Sequence, residues 1–251
     1  AILASPAFDI AVLNGITIGI DPGHQLTGDP AHESVYPGSE ETKPRQTSGC
    51  IGVRTGVAEH VVNMMVANRL STLLQASGAT VVLSRADENV NLSNIDRAEL
   101  MNAAQVDVWL RLHCDSSSDP ELRGCTILTP SYVTTPAIFN RSYILGALVL
   151  EGFCAATGAQ PRGVFTSESQ TGFNHSNAPV IVVEMGCLSN AMDDVRLNRE
   201  SYQGACAYGI YNGIVAFYRA LPPVEYVSLT KDSPLETQPA QTGALAQPQE
   251  P

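Results

Sequence analysis

The sequence predicts an α/β sandwich with a mostly parallel central sheet, because short apolar strand segments alternate with amphipathic helical segments along most of its length. Those strands are apolar nearly throughout, as expected where both faces of a sheet are covered. Three of them also run into a chemically active side chain: His24 follows 16–20, His113 follows 106–112 and Glu184 follows 179–183. Ligands of such sheets gather at the carboxyl ends of the strands, so these three residues mark one rim.

Each element has its own signal. Residues 16–20 are a β-branched run between Asn14-Gly15 and Pro22-Gly23, which reads as a buried strand. Gly, Pro, Ser, Thr and charged residues dominate 25–56, giving a loop of roughly 30 residues, a length that is usually functional or disordered. From Glu59, the positions Val61, Val62, Met65, Val66, Leu70, Leu73 and Leu74 fit a helix with one buried face, closed at Gly78. Residues 80–83 are a strand, and 92–104 a helix capped by Ser93 or Asn94. Strands follow at 106–112 and 125–128, then a long helix over 137–157, a strand over 179–183 and a closing helix over 200–221.

The organisation is therefore an N-terminal extension at 1–14, one domain at 15–221 and a Pro-, Gln- and Thr-rich flexible tail at 222–251. The start lacks Met and a basic region, so it is not an intact signal peptide. With 25 acidic against 14 basic residues and no basic block, nucleic acid is excluded as a partner. No run reaches the ~18 apolar residues of a membrane span, and a monomer is expected. Six scattered cysteines, without a Cys-x-x-Cys pair, read as buried thiols, with one or two disulfides as the alternative.

Two His and two Glu delivered from separate elements suit a zinc hydrolase, in which three ligands leave one coordination position open. His24, Glu59 and His113 supply such a set; a lone histidine at a strand end is more often an ordinary hydrogen-bonded residue, and the pair at equivalent strand ends strengthens the metal reading. Glu184 ends a strand so apolar that its carboxylate needs a partner or a task. One reading pairs it with Arg85, Arg97 or Arg111; the other makes it a general base.

The chain resembles the zinc-dependent N-acetylmuramoyl-L-alanine amidases of the amidase-3 type over about 15–220. The resemblance rests on Ile20-Asp-Pro-Gly-His24, Gly56-Val-Ala-Glu59 with Val62-Asn63, Ser84-Arg85-Ala-Asp87 with Arg97, Leu112-His113-Cys-Asp115, and Val183-Glu184-Met-Gly186-Cys-Leu-Ser-Asn190 with Asp193. It implies a three-layer, phosphorylase/hydrolase-like α/β fold, Zn2+ held at His24, Glu59 and His113, and Glu184 as the catalytic residue. It implies peptidoglycan as partner and substrate, and a secreted, cell-wall location. Arg85, Asp87 and Arg97 are expected to order the strand ends.

Glu33, Glu40 and Glu41 in the long loop are rejected as ligands, because Glu59 opens a rigid helix. Cys114 and Cys187 depart from the family pattern and read as packing residues. His60 is expected on the surface or behind the ligands, and His32 in solvent. His175 and Asn177, in the polar segment before Glu184, are candidates to touch substrate or support the site. Two rival readings stand beside the amidase: a wall-binding or regulatory module without catalysis, and a zinc peptidase cutting within stem peptides.

Overall fold

The computed structural model describes residues 12–220. Most of the predicted extension at 1–14 and the whole of the predicted tail at 222–251 lie outside the described residues. The elements are β1 (Thr17–Pro22), β2 (Asp29–Ser34), β3 (Thr42–Gln46), α1 (Glu59–Ala76), β4 (Thr80–Leu83), α2 (Asn94–Ala103), β5 (Val108–Asp115), β6 (Cys125–Pro130), α3 (Pro136–Thr157), β7 (Pro161–Ser167), α4 (Thr171–Asn174), β8 (Val180–Cys187), α5 (Ala191–Leu197) and α6 (Glu200–Ala220).

Six strands form the central sheet in the order β4-β1-β5-β8-β6-β7. β4, β1, β5 and β8 are mutually parallel, and β6 pairs antiparallel with β8 and parallel with β7. The sheet is thus mostly parallel, with a reversed pair on one side. On one face Trp109, Val180 and Val182 pack with Ala98 and Met101 of α2, and with Phe173 of α4. The opposite face carries α1, α3 and α6, so the architecture has three layers.

α3, the long helix expected over 137–157, is alone among the described helices long and apolar enough to cross a membrane, although Asn140, Arg141 and Glu151 interrupt its apolar run. In this fold it lies against β6 and α6, burying Leu145, Val149 and Phe153. Close approach depends on glycine there: a Cβ on Gly209 would stand 2.6 Å from the Phe153 Cα.

Several elements differ from the sequence expectation. Residues 25–56 are not all loop, because β2 and β3 pair as an antiparallel hairpin. Neither strand alternates apolar with polar, and Pro30 and Pro44 sit in a two-stranded ribbon where unpaired edges tolerate them. β7 was hidden by Pro161 and Gly163, and α5 is too short for periodicity, although Asn190 caps it by accepting from the Met192 and Asp193 N–H groups. Helix α2 is capped by Ser93 in a capping box with Asp96, which decides between Ser93 and Asn94. All six cysteines are free, so the thiol reading holds against disulfides.

A buried charge cluster holds the rim of the sheet. Asp21, fully buried at the end of β1, bonds Arg97 and Ser84 through Oδ1 and Arg111 Nε through Oδ2 at 2.9 Å. Burial alone would raise the Asp21 pKa, but the Arg97 and Arg111 guanidiniums override it and hold the carboxyl well below its ordinary range. A carboxylate depressed in the fold adds stability above its unfolded value of about 3.9, and that stability is lost as pH falls below it. Asp21→Ala, which leaves two guanidiniums buried without their partner, should cost about 3–5 kcal/mol in denaturant unfolding near neutral pH. The variant should also lose part of the acid sensitivity below about pH 4. A cost under about 1 kcal/mol would show that the cluster is dispensable.

Candidate metal centre and its cleft

Three side chains from three elements meet at the rim. The Nε2 of His24 and the Nδ1 of His113 lie 3.2 and 3.1 Å from Glu59 Oε1, and 3.2 Å from each other. These are the described His, Cys, Asp and Glu residues that could share one metal ion. A tetrahedral ion with bonds near 2.0–2.2 Å keeps its donors about 3.4 Å apart, so the cluster has the size such an ion needs. Side-chain exposures of 12% for His24, 3% for Glu59 and 14% for His113 leave the centre shielded yet reachable.

The protonation of each donor follows from its surroundings. His24 Nδ1 lies 2.9 Å from the Thr47 carbonyl, which can only accept, so Nδ1 donates to it and Nε2 is the nitrogen turned toward Glu59 and His113. Burial, with His24 and Arg111 nearby, pushes the His113 pKa down to about 4 despite Glu59, so the His113 ring is neutral near pH 7. Glu59 is held well below the ordinary carboxylate range: burial opposes its ionisation, but hydrogen bonds from His113 and His24 prevail. As the first residue of α1 it also sits at the positive end of the helix.

Supporting bonds fix the geometry. Glu59 Oε1 accepts from the Cys114 N–H at 3.0 Å and from Asn63 Nδ2 at 3.3 Å, while Oε2 accepts from the Cys50 N–H at 3.0 Å. The Cys50 thiol also points at Oε2, at 3.4 Å, and burial followed by the Glu59 charge pushes its pKa up, so it is a thiol and not a thiolate. His24 has φ of +59°, a region that non-glycine residues seldom occupy. Arg97 secures it by donating to the His24 carbonyl at 3.1 Å, and Arg85 donates to the Pro22, Gly23 and His60 carbonyls. Both arginines therefore order the strand ends, and the Asp87 carbonyl accepts from Arg85 at 3.2 Å.

Glu184 stands beside His113 in register on β8, paired on its other side with Thr126. Among the described residues no arginine forms an ion pair with it: Arg97 and Arg111 are committed to Asp21, and Arg85 to carbonyls. Its Oε2 is buried without a hydrogen-bond partner. Burial, then the charges of Glu59 and Asp115, push its pKa well above the ordinary carboxylate range. It lines a cavity of about 280 Å3 together with His24, His113, Thr47, Arg111, Lys43 and others.

The hairpin closes one side of this cleft, a part of the site that sequence reasoning missed. It is docked on α2, where Glu33 accepts from the Asn94 and Ile95 N–H groups, and Arg45 pairs with Asp29 and Asp96. Glu33 thus serves the helix start, and Glu40 and Glu41 are exposed. The buried His60 lies 3.2 Å from Glu88, and the exposed His32 meets Thr42. His175 and Asn177 do not line the cavity; they precede β8, where the His175 carbonyl and the Asn177 N–H both bond Asn102. Cys114 and Cys187 are buried in the sheet.

Comparison with known proteins shows the family and the fold. The sequence profile of the N-acetylmuramoyl-L-alanine amidase family, Amidase_3, matches residues 18–216. The N-acetylmuramoyl-L-alanine amidase LytC of Bacillus subtilis is 31% identical over 205 residues, covering 82% of this chain and 36% of LytC, so the chain spans about a third of that relative. The N-acetylmuramoyl-L-alanine amidase Rv3717 of Mycobacterium tuberculosis is 25% identical over 229 residues, covering 86% of this chain and 92% of Rv3717. The crystal structure of Ami1 from Mycobacterium smegmatis, also an N-acetylmuramyl-L-alanine amidase, shares the fold with a TM-score of 0.74 at 22% identity, over 83% of this chain and 99% of that one.

Gly23 has no room for a side chain, since a Cβ there would overlap the His113 ring. Gly23→Ala should therefore displace His113 and weaken divalent-cation binding by about tenfold or more, measured by calorimetric titration with Zn2+. Unchanged affinity with an intact circular dichroism spectrum would show that His113 is not held where the cation binds.

Proposed function

The chain belongs to the N-acetylmuramoyl-L-alanine amidase family, and from that premise we propose that it hydrolyses the amide between N-acetylmuramic acid and L-Ala in peptidoglycan. The observation that carries this reading is the His24, Glu59 and His113 cluster beside a carboxylate, Glu184, that has no ion-pair partner among the described residues. Two imidazoles and one carboxylate suit Zn2+, and leave a position for water or substrate. When bound, the zinc supplies Lewis acidity, activating water and polarising the scissile carbonyl.

The protein's own groups do the rest. Glu184 takes the proton of the attacking water and returns it to the departing L-Ala amine. Its raised proton affinity suits a group that must both accept and release a proton near neutral pH. His24 stays oriented through Thr47, and Glu59 stays ionised through its bonds from Cys50, Asn63 and Cys114. The place of action is outside the cytoplasm, at the cell wall, where this substrate lies.

Glu184→Gln should lower hydrolysis by roughly 100- to 10,000-fold while elemental analysis still finds one zinc per chain. Mass spectrometry of digested peptidoglycan should show released stems with a free L-Ala amine, and chelation should abolish them. Zinc lost along with Glu184 would make it a ligand and not the proton carrier; new amines elsewhere in the stem would make the protein a peptidase.

A further inference from the structure

The cleft extends beyond the reacting centre, and its far part is cationic in a chain whose net charge is −11. Arg111 precedes His113 by two residues on β5, and Val182 precedes Glu184 by two on β8, so the Arg111 level of the floor lies about 6–7 Å from the rim at ~3.3 Å per residue. Lys43 reaches into the same cavity from β3, where its Nζ donates to the Ser169 carbonyl at 2.7 Å. One acceptor leaves two ammonium hydrogens for something else.

These cations are only partly neutralised locally. Arg111 shares the single carboxylate of Asp21 with Arg97, so that cluster keeps one positive charge. Arg111 donates through Nε to Asp21 and through Nη2 to Asn94 at 2.7 Å, and its Nη1 makes no hydrogen bond among the described residues. Burial, followed by repulsion from Arg111, lowers the Lys43 pKa, and Glu33 is the acid that partly offsets this. Two like charges facing one small cavity favour an anion between them. Asn94, Gln46 and Gln170 add polar groups around it.

We propose that Lys43 and Arg111 form a carboxylate subsite that reads the second residue of the stem peptide. An extended chain advances about 3.3–3.6 Å per residue, so a group one to two residues from the reacting amide reaches the Arg111 level. In peptidoglycan stems that residue is a glutamate joined through its side chain, with its α-carboxyl free or amidated. The subsite favours the free form, because a carboxylate brings an opposite charge to bonds from both cations, whereas an amide oxygen accepts without that charge. This selectivity rests on the amidase reading, and its test separates the two.

The test is calorimetric binding of L-alanyl-D-glutamate γ-methylamide, with its α-carboxyl either free or amidated, to the zinc-loaded protein, beside hydrolysis of the corresponding muramoyl peptides. The carboxylate dipeptide should bind about 10- to 100-fold more tightly. Lys43→Met should remove about tenfold of that preference and leave the amidated ligand unaffected, and Lys43→Arg should restore it. Equal affinity for the two dipeptides overturns the subsite, as does a Lys43→Met variant that loses both alike, since Lys43 then only anchors the hairpin to Ser169. Selective binding without hydrolysis keeps the subsite and removes the amidase reading. Hydrolysis without selection does the reverse.

Discussion

One buried carboxylate, Asp21, sets the position of almost everything at the rim. It joins β1 to α2 through Arg97 and to β5 through Arg111. Arg97 also holds the His24 carbonyl, and Arg111 holds Asn94, which in turn bonds Glu33 and the Arg45 carbonyl of the hairpin. A buried ion cluster of this kind contributes little net stability compared with an apolar core, yet removing one member is costly. Its value here is geometric: it fixes His24 in a left-handed backbone conformation, and it ties the hairpin wall to the cleft floor.

On that frame the reacting groups are prepared before any ligand arrives. Both imidazoles turn a ring nitrogen toward Glu59 and toward each other, Glu59 is ionised by donors from three directions, and Glu184 is left without a hydrogen-bond partner for Oε2. Preorganised charge of this sort does not have to rearrange during a reaction. The hairpin then turns a sheet rim into a cleft, with Thr47 supporting His24 and Lys43 facing Arg111.

The α/β architecture was readable in the sequence because parallel strands covered on both faces are apolar throughout, and because α1 and α6 keep one buried stripe. Three of the candidate site residues were visible for a related reason: His24, His113 and Glu184 are polar endings to apolar strands. The hairpin was not, since β2 and β3 bury little and their pairing depends on contacts with α2 that local pattern does not encode. Nor was the Asp21 cluster recognised, although a carboxylate ending β1 and an arginine inside β5 were both legible as buried charges that needed each other. His175 and Asn177 drew notice by closeness to Glu184 in sequence, but β8 carries the chain across the sheet between them.

On the proposed reading this rim holds one metal ion by His24, Glu59 and His113, with Glu184 beside it and uncoordinated. A crystal structure of the zinc-loaded protein, with anomalous data at the zinc edge, tests it most directly. One anomalous peak is expected at about 2.0–2.2 Å from His24 Nε2, His113 Nδ1 and a Glu59 oxygen, with Glu184 outside that distance. A peak bound by Glu184 or by the Cys50 sulfur, or no peak at this rim, would contradict it.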